Sequence, residues 1–355
     1  MPVNIVFAAN LQQSYVKRIF SLCPFVRSLG RKIGLTPQST YNRIRSLEER
    51  FDVKYVVAID TEKLGYQRYI AFVKFESDKP STSEIRDALI NESRVQLVAK
   101  TAGIYDLIIF FLAENSNALS SFIGDVRAKP PFSKFDAKWY VTPIWESYGF
   151  VPLRDEFFEL LKGKVWKRKK ESPRPMLGQL LTREFNVLRA LNKNSAIDFK
   201  KIDEEYKMNK GNAQYSYHKL TREGLLQRLT INLQNTNLRY NAIILMDISN
   251  YEEFNATKKE FLEFVLNEKK RPINKFAYVS DYEIPDGVIF IAPIMTDSDL
   301  RELEDEFQSK VKGISLNTLV STEVIIGKLC YRKFDNTKSK QKRAIEEYQQ
   351  RKTQL

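Results

Sequence analysis

The sequence predicts an α+β protein in which a three-helix unit and a β-α-β-β-α-β unit alternate, each present twice. Three observations carry this. Hydrophobic spacing switches repeatedly between helical and strand periods along the 355 residues. Charge falls into blocks that follow the same divisions. The second half also repeats the first at an offset of 173 residues, which sets Thr36, Thr40, Ile44 and Leu47 opposite Asn209, Ala213, Tyr217 and Leu220. The blocks are 1–65, 66–152, a basic linker 153–180, 181–240, 241–331 and a basic tail 332–355.

In the first block, Val16, Ile19, Phe20 and Cys23 form one helical stripe, opened by Ser14 as N-cap and closed by Pro24. Cys23 reads as a core thiol. A second helix covers Phe25–Ile33 and stops at Gly34. Thr36-Pro37 then supplies an N-cap and a first-turn proline for a third helix, with Thr40, Ile44 and Leu47 facing inward. Three short helices with a Gly-bearing turn before the last make a helix-turn-helix. Asp52–Asp60, rich in Val and Tyr, follows as a strand and makes the unit winged.

The next block changes period. Strands are predicted at Tyr69–Phe75, Val95–Thr101, Tyr105–Leu112 and Phe135–Trp145, with helices at Ser83–Asn91 and Ser116–Val126. That order is the split β-α-β, or ferredoxin-like, plan; a generic small α+β sandwich is the competing assignment. Asp155–Lys162 reads as a short helix, and Gly163–Pro175 as a basic linker bearing Lys167, Arg168, Lys169 and Lys170.

The pattern then restarts. Thr182 caps a helix with Phe185, Leu188 and Leu191 on one face, Phe199–Tyr206 is the second helix and Asn209–Glu223 the third. Leu225–Leu233 is wing-like. Ile243–Ile248, Ile273–Ser280, Val288–Pro293 and Thr318–Tyr331 read as strands, with helices at Tyr251–Leu266 and Asp297–Ser309. Gly211, placed inside the third helix, either lets the backbone approach a ligand closely or marks a poorer helix, at about 1 kcal/mol relative to Ala.

Charge separates these blocks. Lys+Arg outnumber Asp+Glu by 10 to 5 in 1–65, 8 to 4 in 153–180, 11 to 6 in 181–240 and 8 to 3 in 332–355. They balance at 10 to 10 in 66–152 and are outnumbered 10 to 16 in 241–331. Basic modules set between neutral and acidic ones point to division of labour, with nucleic acid as the partner of the basic ones. One histidine and two distant cysteines, Cys23 and Cys330, exclude a disulfide framework, a His/Cys metal cage and any catalysis needing two histidines. No metal and no cofactor is expected. The longest apolar runs, such as Leu107–Ala113, fall far short of a membrane span. No signal peptide is read at the start, and the chain is expected to be cytoplasmic.

The third helix of a helix-turn-helix lies in the major groove with its first half at the base edges. Residues of the first such helix turned away from its core are Thr36, Pro37, Gln38, Ser39, Tyr41, Asn42, Arg43 and Arg45. Gln38 and Asn42 suit adenine and Arg45 suits guanine; Arg31 and Arg43 suit phosphates. A solvated helix face is the competing assignment. The second helix offers Lys210, Asn212, Gln214, Tyr215, His218 and Lys219, with His218 opposite Arg45. Lys167, Arg168, Lys169 and Lys170 are expected along phosphates between the two readers.

Leu29–Glu48, reading LGRKIGLTPQSTYNRIRSLE, resembles the recognition-helix signature of the Lrp/AsnC (feast/famine) transcription regulators. Ile59–Tyr66 resembles that family's hinge, and Thr101–Asp106 the Gly-x-Tyr-Asp turn of its ligand-binding, ferredoxin-like RAM domain. The resemblance spans Gln12 to about Trp145 well and Leu181 to Tyr331 weakly. It implies a double-stranded DNA partner, a homodimer built through RAM-like domains, contact with the transcription machinery, and an amino acid or similar effector near Gly103, Tyr105 and Asp106. A structural glycine at a tight turn is the alternative for Gly103. The chain departs from the family in carrying the unit twice and in having Ile284-Pro285-Asp286-Gly287 where the second Gly-x-Tyr-Asp turn would stand.

Two other functions share these features. Sirohaem decarboxylases resemble Lrp/AsnC proteins but act on a tetrapyrrole, with histidine expected in the effector-like domain, whereas His218 falls in a helix-turn-helix. An architectural or recruiting factor would use one helix-turn-helix on DNA and the other on a protein. The apolar character of Tyr69–Phe75 and Leu107–Phe111 at nearly every position predicts that each sheet packs against a second one.

Overall fold

The computed structural model describes residues 31, 34–51, 53–76, 78–147, 152–162, 165–166, 180–233, 240–254, 256–257, 280–284, 287–294 and 296–327. The helices expected at 14–23 and 25–33, Cys23, Cys330, Lys167–Lys170 and the tail 332–355 lie outside them, apart from Arg31.

Helix α1 (Pro37–Phe51) opens on Thr36, whose hydroxyl accepts the Ser39 amide at 3.2 Å, and it buries Thr40 and Ile44 as expected. Strand β1 (Val53–Ile59) leads into a β-α-β-β-α-β run: β2 (Gln67–Phe75), α2 (Thr82–Leu89), β3 (Val95–Ala102), β4 (Leu107–Ala113), α3 (Ser116–Ala128) and β5 (Ala137–Pro143). Helix α2 starts where the Ser81 hydroxyl takes the Glu84 amide and the Glu84 carboxylate returns to the Ser81 amide, a capping box. A two-residue strand β6 (Glu146–Ser147) and helix α4 (Asp155–Lys162) follow, then a short parallel pair, β7 (Val165–Trp166) with β8 (Leu180–Leu181).

The second half supplies α5 (Thr182–Lys193), α6 (Phe199–Glu205), α7 (Asn212–Arg222), β9 (Leu226–Leu233), β10 (Tyr240–Ile248), β11 (Ser280–Ile284), β12 (Gly287–Ile294), α8 (Asp297–Lys310) and β13 (Ile314–Ile326). Residues 251–254 and 256–257 are helical, where a helix over Tyr251–Leu266 was expected. Strand β11 begins where the expected Ile273–Ser280 strand ends.

All the long strands but β1 and β9 join one antiparallel sheet of nine, in the order β5-β2-β4-β3-β13-β10-β12-β11-β6. The first four and the next four have the same internal order: last, first, third, second. The two sets thus share one strand order, and they meet edge to edge where β3 pairs with β13, Ala102 opposite Val320 and Val98 opposite Ile326. Since β5 and β6 are separated by only Ile144 and Trp145 yet lie at opposite ends of the order, the sheet must curl back on itself.

The inside of that curl is apolar from both halves: Ile70, Phe72, Leu97, Ile108, Phe110 and Ile144 meet Ile243, Leu245, Ile284, Ile289, Ile291 and Leu319. The outer faces are covered separately, by α2 and α3 over Val73, Ile109 and Phe111, and by α8 over Ile244, Met246 and Phe290. Every residue of β4 is buried, as its unbroken apolar run requires. The second sheet that each strand set needs is thus found within the same chain. Of the two pairings that the apolar strands allow, within the chain or between two copies, the inner face is filled by the one within the chain.

The strands expected to be wings do something else. β1 and β9 form a two-stranded antiparallel ribbon with each other, from Val53 opposite Leu233 to Ile59 opposite Leu226. Among the described residues, neither pairs within its own unit. A lone strand leaves its amides and carbonyls unpaired, and the matching strand of the other half satisfies them. The strand that follows α1 is consequently tied to the strand that follows α7. No helix among the described residues is long and apolar enough to cross a membrane.

Candidate nucleic-acid interface

On α1 the buried Thr40 and Ile44 fix which face is left over. Gln38, Ser39, Tyr41, Asn42, Arg43 and Arg45 are all exposed, together with Thr36 and Arg31. These side chains are ordered among themselves. The Gln38 amide donates to Asn42 Oδ1 at 3.1 Å, Thr36 donates to Ser39 at 2.9 Å, and the Arg45 guanidinium lies 5.8 Å from the Tyr41 ring centre. A guanidinium over a tyrosine face gains about 0.5–1 kcal/mol at an exposed site, enough to bias Arg45 toward one rotamer before any ligand arrives. Pro37 takes the first helical position, as its fixed φ favours.

Helix α7 is set differently from its expected counterpart. It starts at Asn212, and Gly211 is its N-cap with φ +86, so Gly211 is not inside the helix and its expected interior cost falls away. The reason lies on the preceding helix. The buried Asp203 carboxylate accepts the Gly211 amide at 2.7 Å and the Ala213 amide at 2.8 Å. A carboxylate on the first amides also opposes the helix dipole favourably. Asp203→Ala is expected to lower stability by about 1–2 kcal/mol, with Asp203→Asn retaining part of it; thermal unfolding of the variants checks this.

With Ala213, Ser216 and Leu220 buried, Lys210, Gln214, Tyr215 and His218 are exposed and Asn212 is half-buried. The Tyr215 ring carries the guanidinium of Arg183, a residue of α5, at 5.1 Å, a contact with no local signal in the sequence. Lys219 is half-buried. Its ammonium sits 2.5 Å from the buried carboxylate of Glu184 and 3.7 Å from Glu223, two ion pairs within the second half. Glu184 in turn accepts the Leu181 amide at 3.0 Å, which makes Leu181 the N-cap of α5 and Thr182 its first residue.

The hinge of the first half reaches the second reader. Lys63 donates to the carbonyl of Glu223, the C-cap of α7, at 2.6 Å, and the Asp60 amide donates to Leu225 O at 2.9 Å. With the β1–β9 ribbon, these bonds fix where the two reading helices stand relative to each other.

Each of the three expected effector residues also makes contacts within the fold. Asp106 is buried, accepts the Phe75 amide at 2.8 Å, and is ion-paired with Lys79 at 2.7 Å and Lys74 at 3.7 Å. Its carboxylate is consumed by the fold. Gly103 has φ +137, and a Cβ there would stand 2.7 Å from Leu319 Cδ2 and 3.1 Å from Thr318 O. The close approach of β13 from the other half accounts for that glycine. Tyr105 packs on Phe72 at 5.0 Å, and burial, with the nearby Asp247 charge, pushes its phenol above the usual range. Among the described residues, no group of three or more His, Cys, Asp and Glu could hold a metal ion.

Helices α1 and α7 each leave a polar face exposed beside the curled antiparallel sheet of a mixed α+β fold. No protein-family profile matches the chain. An uncharacterised HTH-type transcriptional regulator of Pyrococcus furiosus is 25% identical over 127 residues, covering 36% of this chain and 85% of its own. A solved Pyrococcus furiosus regulator described as a member of the AsnC family covers 40% of this chain and 89% of its own, at 16% identity and a TM-score of 0.31. The siroheme decarboxylase NirDL superposes over 97% of this chain and 99% of its own, at 12% identity and a TM-score of 0.55. At that identity the likeness speaks to the fold alone, but it runs end to end. The resemblance to the Lrp/AsnC regulators read from the sequence holds.

Proposed function

We propose that the chain is a sequence-specific DNA-binding transcription regulator, a tandem duplication whose two halves form in one chain the pair that single-unit relatives would form from two. The observation that carries this is the joint presentation of α1 and α7 by units tied through the β1–β9 ribbon, each exposing polar, base-competent side chains. Gln38, Asn42 and Arg45 read one half-site; Lys210, Gln214 and His218 read another. Because the two sets differ, the preferred DNA is asymmetric, whereas identical readers related by a twofold select a palindrome. The working unit is a monomer of 41.5 kDa. No effector is assigned, since packing already accounts for Gly103 and Asp106.

A salt-titrated DNA shift tests the reading. Affinity is expected to fall steeply between low and physiological salt, because basic side chains displace counterions from phosphates; a flat dependence would sink it. Within the bound state, Arg45→Ala or Asn42→Ala is expected to cost about 1–3 kcal/mol on the selected site and little on random DNA. Equal losses on both would make Arg45 a phosphate contact.

The end-to-end likeness to a siroheme decarboxylase supports a second reading, an enzyme acting on a tetrapyrrole. The chain's single histidine is exposed on α7, so neither β-α-β-β-α-β unit carries an imidazole. An absorption band of a bound tetrapyrrole in the purified protein, together with loss of carbon dioxide from an iron tetrapyrrole substrate, would replace the regulator reading with this one.

A further inference from the structure

The turn between α6 and α7 contains a residue in the wrong conformation for its type. Lys207 has φ +50, in the left-handed region where a Cβ crowds the backbone. Among the described residues it is the one non-glycine with positive φ. The first unit answers the same demand differently. Gly34, 173 residues earlier, has φ +69 and stands three residues before α1, whereas Lys207 stands five before α7. Nothing lies within 4 Å of where a Gly34 Cβ would stand. Both turns therefore need one backbone shape, and one of them fills it with lysine instead of the residue that takes it freely.

Where only the turn matters, glycine or asparagine occupies such a position. Lysine supplies a side chain there, and among the described residues the fold makes no use of it. Lys207 is exposed and forms no ion pair among the described residues. Its backbone amide bonds Glu204 O at 3.3 Å, a contact any residue would make, and the Glu204 carboxylate lies 3.7 Å from Lys200 instead. The Lys207 charge also has company. Lys210 is exposed three residues on, at the positive end of α7, and the Arg183 cation lies over Tyr215 on the same helix. Cations gathered around the entry of a groove-reading helix face phosphate oxygens, which position a protein on a duplex without reading sequence.

We propose that Lys207 is a phosphate contact of the second reading unit, retained at a glycine position because its ammonium grips the DNA backbone beside the groove that α7 enters. This rests on the DNA-binding reading above. It also gives the second unit a grip that the first lacks, since Gly34 carries no side chain.

The test compares full-length wild type, Lys207→Gly and Lys207→Arg in thermal unfolding and in DNA shifts from 50 to 200 mM salt. Lys207→Gly installs the first unit's own residue and is expected to unfold no earlier than wild type. It should bind more weakly on specific and random DNA alike. Its slope of log affinity against log salt should be shallower by about 0.9, so its deficit against wild type shrinks about 3.5-fold across that salt range. Lys207→Arg should keep the wild-type slope. An unchanged slope in Lys207→Gly overturns the proposal, whether or not Tm moves, and leaves the DNA-binding reading standing. Absence of salt-dependent binding by wild type overturns that reading itself, and the two failures are told apart in one experiment.

Discussion

A chain ending at Pro152 is expected not to remain a monomer. Cutting there removes β13 from the edge of β3 and β9 from β1, leaving two strands with unpaired edges. It also strips Ile243, Leu245, Ile284, Ile289, Ile291 and Leu319 from the inner face, exposing Ile70, Phe72, Leu97, Ile108 and Phe110 together. The loss extends to the outer layer, where Ile325 and Ile326 of β13 pack with Ile85, Leu89 and Val95. Each fully buried side chain of this kind contributes about 1.5–3 kcal/mol, so the sum far exceeds what a domain of this size can spare. A second copy of the half can restore the ribbon, the sheet edge and the inner face at once. Light scattering should therefore show a dimer or aggregate of the half, against a 41.5 kDa monomer of the whole chain. A well-folded monomeric half would show that the two halves are independent domains that merely touch.

That dependence explains what the sequence could and could not reveal. The all-apolar run Leu107–Ala113 announces a strand buried on both faces, and the Thr36-Pro37 pair announces the start of α1; both are local signals. Who covers the second face is not local. β1 and β9 pair across more than 160 residues, and neither strand's own residues name the partner. The alignment of Asn209 with Thr36 sets Thr40 opposite Ala213, both buried, and buried Ile44 opposite Tyr217, which is half-buried. It misplaced the start of α7 by three residues, because the cap is the Asp203 carboxylate on another helix. Lys219 looked like a free cation for the same reason: its partner Glu184 lies 35 residues away and is buried. Signals that depend on a contact distant in sequence were the ones lost. That includes the Arg183–Tyr215 pair, now part of the candidate interface.

Phe157→Ala is expected to be the most damaging single truncation outside the sheets. Helix α4 carries Phe157, Phe158 and Leu161, all fully buried, in a core shared by the first hinge and the second helix-turn-helix. Phe157 meets Tyr66 of the hinge edge-on at 4.9 Å, while Phe158 meets Phe185 of α5 at 6.1 Å. The same helix is fastened to the first sheet unit by Arg154, whose guanidinium donates to Val95 O at 2.9 Å and also to Ile90 O. α4 therefore sits where three parts of the molecule meet. Removing the Phe157 ring should cost about 3–5 kcal/mol through lost transfer energy and an unfilled cavity, a fall in Tm on the order of 5–10 °C. Glu159→Ala, on the solvent side of the same helix, should leave Tm nearly unchanged, because exposed ion pairs contribute little. DNA affinity is expected to drop in Phe157→Ala near its lowered Tm and to recover on cooling, since the ring touches no reading residue and acts by holding the second unit in place. A Phe157→Ala chain melting within about 2 °C of wild type, less than about 1 kcal/mol of change, would mean that α4 packs loosely and that the two reading helices are not held at a fixed spacing.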